Sequence, residues 1–278
     1  MEAQRRPVSA HNFSERTSPS AWRLTTMSTS AQRWCVYSGL WMLVIFLIGF
    51  WLVAGFIPPP SPQSSGPELV RLFSEDRTRI RAGMIVSVFA AAFLASWSAA
   101  LTVQMLRMSR GNAVLAYANL ALGALFVLEF IFSLVIWQSM TFRPRAPEIL
   151  LAMNDTAWLL FTTITSTPVL QTAVIGAAIL RDKHTRPLMP RWSGYLNLWA
   201  GLVFLSGTMT VFFHDGPFAW NGLFTWYVPV VVFCIWIITL SILMLRAIAR
   251  EESEEATESD LDGAQLASMA PAPERINA

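Results

Sequence analysis

The sequence predicts an all-α fold, a polytopic membrane bundle of six transmembrane helices, and three observations carry that expectation. Apolar residues make up 54% of the 278-residue chain and charged residues 14%, against roughly 45–50% and about 25% in soluble domains. The apolar residues gather into six segments, 34–57, 82–105, 113–138, 156–180, 192–213 and 222–245. Each is long enough to cross about 30 Å of hydrocarbon as a helix. Together the six hold one formal charge, Glu129. Lipid cannot satisfy the unpaired edge of an open sheet, and the segments lack the strict alternation of a membrane barrel, so helices remain.

Taken in order, residues 1–33 are rich in Ser, Thr and Arg and predict a disordered cytoplasmic tail. The first segment follows that long tail and ends on Pro58-Pro59-Pro60 rather than on small residues. It therefore reads as a retained anchor and not a signal peptide. Ser65-Gly66-Pro67-Glu68 opens a short surface helix, with proline in the first turn and an acid beside it. Ala146-Pro147-Glu148 opens a second such helix in the loop 139–155. The fourth segment carries Thr162, Thr163, Thr165, Ser166, Thr167 and Pro168. Proline removes a backbone donor and hydroxyls can satisfy the freed carbonyls, so a kinked span is expected. The fifth segment ends at the turn His214-Asp215-Gly216-Pro217. After the sixth, residues 246–278 carry seven acids before an Ala-Pro stretch and predict a second disordered cytoplasmic tail. The transmembrane domain is thus 34–245.

Lys and Arg number fourteen on the side of the two tails and six on the side of loops 58–81, 139–155 and 214–221. The positive-inside rule then puts both tails in the cytoplasm.

The odd-numbered segments share a register. Tyr37, Leu40 and Phe46 recur as Tyr117, Leu120 and Phe126, and again as Tyr195, Leu198 and Phe204. The even segments share the endings Met105-Leu106-Arg107, Ile179-Leu180-Arg181 and Met244-Leu245-Arg246. These suggest three helical hairpins in tandem, against the simpler account that Tyr and Arg are ordinary interface anchors. Two residues after each Tyr stand Gly39, Asn119 and Asn197, and twelve after stand Gly49, Glu129 and Gly207. The two positions lie about 80° apart on a helix, and all six residues are small or polar, so this face is expected to point into the bundle.

Glu129 lies about 18 Å beyond Tyr117 and so near mid-membrane. An intramembrane acid is costly and is read as functional by default. Gln171, Trp97 and Trp236 fall at the same depth on their segments, and Gln171 is the expected hydrogen-bond partner of Glu129. Glu129, Gln171, Asn119, Asn197, Trp97 and Trp236 therefore form the candidate ligand or proton site, with plain packing as the competing account of the tryptophans. Arg77 and Arg81 share a helix face and are candidates to contact an anionic lipid or ligand. No metal-ligand spacing, phosphate-binding loop or nucleophile–base set is present, so no metal, cofactor or catalytic constellation is expected. Net charge +2 without a basic cluster argues against nucleic acid as a partner. Cys35 and Cys234 read as unpaired packing residues.

Five stretches carry a family resemblance: Phe56-Ile57-Pro58-Pro59-Pro60-Ser61-Pro62, Phe142-Arg143-Pro144, Asn154-Asp155-Thr156-Ala157-Trp158, the run from Pro190 to Trp199, and Gly216-Pro217-Phe218-Ala219-Trp220-Asn221-Gly222. Over residues 34–245 the chain resembles a family of uncharacterised multi-pass bacterial membrane proteins, mainly actinobacterial. The resemblance implies six helices in a bacterial plasma membrane and brings no activity or site residues with it. Two functions fit: a small-solute or proton-linked carrier with Glu129 in its chamber, or a non-catalytic scaffold or accessory subunit binding a protein or lipid partner.

Overall fold

A computed structural model describes residues 28–109 and 113–269. The disorder expected of residues 1–27 and 270–278 lies outside the described residues. The described chain is all-helical, with six helices long and apolar enough to cross a membrane: Thr29–Val53, Arg77–Met108, Val114–Phe142, Pro147–Arg181, Arg191–Phe212 and Gly216–Thr257. It is a multi-pass membrane protein.

The first span is α1 (Thr29–Leu47), started by Ser28, whose hydroxyl accepts from the Ala31 N–H. It then loosens into a π-helix over Ile48–Val53. The surface helix α2 (Gly66–Glu75) forms where expected, and the Glu68 carboxylate accepts from the Ser65 N–H at 2.8 Å. The second and third spans are α3 (Arg77–Met108) and α4 (Val114–Phe142). Pro147 does not open a separate loop helix. It starts the fourth span itself, which is broken into α5 (Pro147–Thr163) and α6 (Ser166–Arg181). The fifth span begins as α7 (Arg191–Phe204) and tightens to a 3₁₀ helix over Leu205–Phe212. The sixth opens with a π-helical turn, Leu223–Tyr227, and continues as α8 (Val228–Met269).

The acidic stretch expected to be disordered thus continues α8 as helix to Met269. Ion pairs hold its first turn onto the bundle. Arg33 grips Glu252 with two bonds of 2.6 and 3.1 Å, and Arg107 pairs with Glu251 at 3.0 Å. Beneath them the buried Gln104 donates to Gln32 at 2.7 Å and accepts from Arg107 at 2.7 Å. Alternating acids and bases on facing helices are what the tail composition did not reveal.

Each span packs against its neighbours in sequence, and α8 returns to α1, so the six close into a ring. The most extensive contacts join α3 to α4, α1 to α3 and α6 to α7. Two of these three run across the boundaries between the expected hairpins. Two apolar cores stack along the ring axis. The one nearer the chain termini centres on Trp97 and Trp236, the other on Trp137 and Trp158, and all four indoles are fully buried. The loops at the far end lock together: Trp220 Nε1 donates to the Pro60 carbonyl at 2.8 Å, and Arg81 donates to the carbonyls of Thr141 and Phe142 at the end of α4.

Candidate functional site

Between the two cores lies a cavity of about 130 Å³, lined by five of the six spans, all but α3. Glu129 lies in mid-span on α4 and reaches this cavity, where it is the one formally charged residue on the wall. Its carboxylate Oε2 accepts from the Thr167 hydroxyl at 3.2 Å. The rest of the wall is chiefly aromatic and aliphatic. Phe46 and Phe50 come from the first span, Phe126 and Phe130 from α4, Phe161 from α5, and Trp226 and Phe233 from the sixth. These rings touch one another edge to face and stacked, for example Phe130 with Phe161 at 5.4 Å and Phe50 with Phe161 at 5.6 Å.

The backbone changes character at this depth. The π-turn of the first span contributes Phe50, the 3₁₀ stretch of the fifth contributes Gly207, and the π-turn of the sixth contributes Thr225 and Trp226. In the fourth span the helix is interrupted altogether. Ile164 has φ −75° and ψ 65°, and the Thr165 N–H closes a tight turn on the Thr163 carbonyl at 2.7 Å, the geometry of an inverse γ-turn. Pro168 is the cause. Its ring would collide with the carbonyl of Ile164 in a continuous helix, and here it sits in the first turn of α6, where no donor is needed. Thr162 and Thr163 turn their hydroxyls back onto the carbonyls of Trp158 and Leu159. Non-α backbone at mid-membrane is tolerated where protein or a cavity surrounds it, and here it surrounds the chamber.

The expected inward face is inward: Gly39, Gly49, Asn119, Glu129, Asn197 and Gly207 are all buried. Their roles differ from the expectation, however. Gly207 lines the chamber with Glu129, but Gly49 packs on Gly83 and Ser87 of α3 and leaves no room for a carboxyl group. Gln171 does not bond Glu129. Its amide donates to Ser98 at 3.3 Å and to the Asn119 oxygen at 3.1 Å, tying α6, α3 and α4. Asn119 also donates to Thr102 at 2.9 Å. Asn197 accepts from Trp236 Nε1 at 2.7 Å, and Trp97 donates to Ser241 at 2.9 Å, with the two indoles 5.2 Å apart. Of the six candidate residues only Glu129 faces the chamber; the other five build the core beneath it. Arg81 is consumed in capping α4, and Arg77 stands half-buried at the start of α3.

Sequence reasoning missed the aromatic wall and Cys234, a free thiol that also lines the chamber. The signal for the wall was present. Phe46, Phe126 and Phe204, the third member of the recurring Tyr-Leu-Phe register, all line the chamber, whereas the three tyrosines of that register are exposed on the outer face.

Fold and site together define a six-span helical membrane protein built around a chamber with one acid. The chain matches no protein-family model, no curated protein and no solved structure.

Proposed function

We propose that the chain is a small-solute carrier whose binding chamber surrounds Glu129, set in a bacterial plasma membrane with both ends in the cytoplasm. One observation carries the reading: an intramembrane acid opens onto a cavity at the level where four of the six spans leave α-helical geometry. Broken spans at mid-membrane are how carriers expose backbone to a solute and supply hinges for access from alternate sides. A scaffold needs neither a chamber nor a desolvated acid, which costs stability without a partner to recognise it. The excess of basic residues on the side of the tails supports the orientation, and the resemblance over residues 34–245 supports the bacterial membrane.

Cys234 provides the test, because it lines the chamber. In a Cys35→Ser background reconstituted in vesicles, a small impermeant methanethiosulfonate added to either side should modify Cys234, and saturating benzyl alcohol should slow the reaction severalfold. Reaction from one side only would reduce the site to a one-sided pocket. No reaction in folded protein would return the chain to the scaffold reading.

A further inference from the structure

We infer that the chamber takes a small hydrophobic cation, an alkylammonium group carrying no more than about one ring. This rests on the chamber being a binding site and names what it binds. Among the described residues the wall carries one carboxyl group and no lysine or arginine, so an anionic solute would find no positive charge to offset its own. Two of the three hydroxyls on the wall are already used as donors, leaving Thr165 as the third. Thr162 and Thr225 spend their hydroxyl protons on the carbonyls of Trp158 and Phe218. Among the described residues only Thr167 hydrogen-bonds to the carboxyl group of Glu129, and it uses one oxygen. The other titratable group on the wall is the Cys234 thiol. A ligand that brings a donor or positive charge therefore meets the second oxygen of Glu129, which has no hydrogen-bond partner among the described residues.

The rest of the wall suits the same ligand. Rings from five spans, Phe204 of the fifth among them, line the volume, and an aromatic face attracts a desolvated ammonium more strongly than it attracts a neutral isostere. A neutral hydrocarbon would fill the space and leave the second oxygen of the acid unsatisfied among apolar walls. Size sets the scale of the ligand, though the chamber is not fully enclosed. A chamber of about 130 Å³ is slightly smaller than a cavity of about 150 Å³ that holds benzene.

Calorimetric titration of the protein in lipid nanodiscs, with empty discs as the blank, tests this with benzylammonium, benzyl alcohol and phenylacetate. Benzylammonium should bind roughly tenfold or more tightly than benzyl alcohol, and phenylacetate should not bind. Glu129→Gln should remove that preference and leave benzyl alcohol binding within about twofold. Equal binding of the cation and the alcohol to wild type would overturn the ligand class while leaving the chamber as a binding site. Failure of every probe to bind folded protein would overturn both. Should the Gln variant not fold, methylthiolation of Cys234 in wild type gives the second arm: benzylammonium binding should be lost, and unchanged binding would place the cation elsewhere and overturn the proposal. Discs of phosphatidylcholine and of a neutral glycolipid separate the sources of the ammonium. Equal affinity in the two supports a free amine, and weaker affinity in phosphatidylcholine supports the same chemistry supplied by a lipid headgroup.

Discussion

Gly39 illustrates how tightly the core beneath the chamber is fixed. A Cβ at this position would lie 2.2 Å from Trp97 Cδ1. Trp97 cannot swing away, since its indole N–H is bonded to Ser241 and its ring is wedged against Trp236, which is in turn held by Asn197. Overpacking of a rigid core costs about 1–3 kcal/mol. Gly39→Ala should therefore lower the unfolding temperature in detergent by several degrees, and an unchanged midpoint would mean that α1 and α3 can separate at no cost. Glu129 sits in the opposite situation. It has space on one side and, among the described residues, a single hydrogen-bond partner, the Thr167 hydroxyl.

The fourth span shows what a local rule does when the surroundings differ. Pro168 was expected to kink a continuous helix, and it instead follows a complete break at Ile164. Thr162, Thr165 and Pro168 at the break line the chamber, whereas Thr163 and Ile164 are half-buried and Ser166 is exposed. The same span ends in a second locally determined device. The Asp182 side chain is fully buried and accepts from the backbone N–H groups of His184 and Leu188 at 2.9 and 3.0 Å and from the His184 ring at 2.6 Å. Burial alone would push this carboxyl group up, but the hydrogen bonds from His184 and Leu188 outweigh it and hold it below the usual carboxylate value. A depressed folded value means that the stabilisation is complete above the ordinary carboxylate range and is lost as pH falls through the folded value. Asp182→Asn should thus weaken the 182–188 loop by about 1–3 kcal/mol at neutral pH. Faster amide exchange at His184 and Leu188 would report it, and the difference from wild type should shrink as pH falls below the ordinary carboxylate range. A difference that persists unchanged in acid would mean that shape, and not charge, holds the loop.

Across the molecule, the proposed orientation, with both ends in the cytoplasm, can be tested on exposed residues. Gln63 and Thr185 are exposed at opposite ends of the bundle, whereas Asn154, though placed by the sequence in an outer loop, is buried. In a background lacking Cys35 and Cys234, an impermeant maleimide applied to whole cells should modify Gln63→Cys and spare Thr185→Cys until the membrane is permeabilised. The opposite pattern would invert the assignment. The ion pairs of Arg33 with Glu252 and Arg107 with Glu251 would then lie on the cytoplasmic face, where they close the ring by tying α8 to α1 and α3.

Six spans, an all-helical fold, the inward face of Gly39, Asn119 and Asn197, and the isolation of Glu129 were legible in the residues themselves. Each is a property of one helix: hydropathy summed over about 20 residues, or the angular spacing of polar groups on a single wheel. The chamber was not, because it is made of residues that only ring closure brings together. Phe46, Phe126 and Phe204 were visible as a recurring position, yet nothing along the chain said that the position faced a void rather than lipid. Gln171 has the depth to meet Glu129, but it belongs to another neighbour because rotation of α6 about its axis is set by packing on α3 and α4. The acidic tail likewise reads as solvated by composition, and only the bases of α1 and α3 opposite Glu251 and Glu252 turn its start into a helix docked on the bundle. Sequence determined which groups must leave water; the tertiary arrangement decided which of them met each other and which one was left facing an open space.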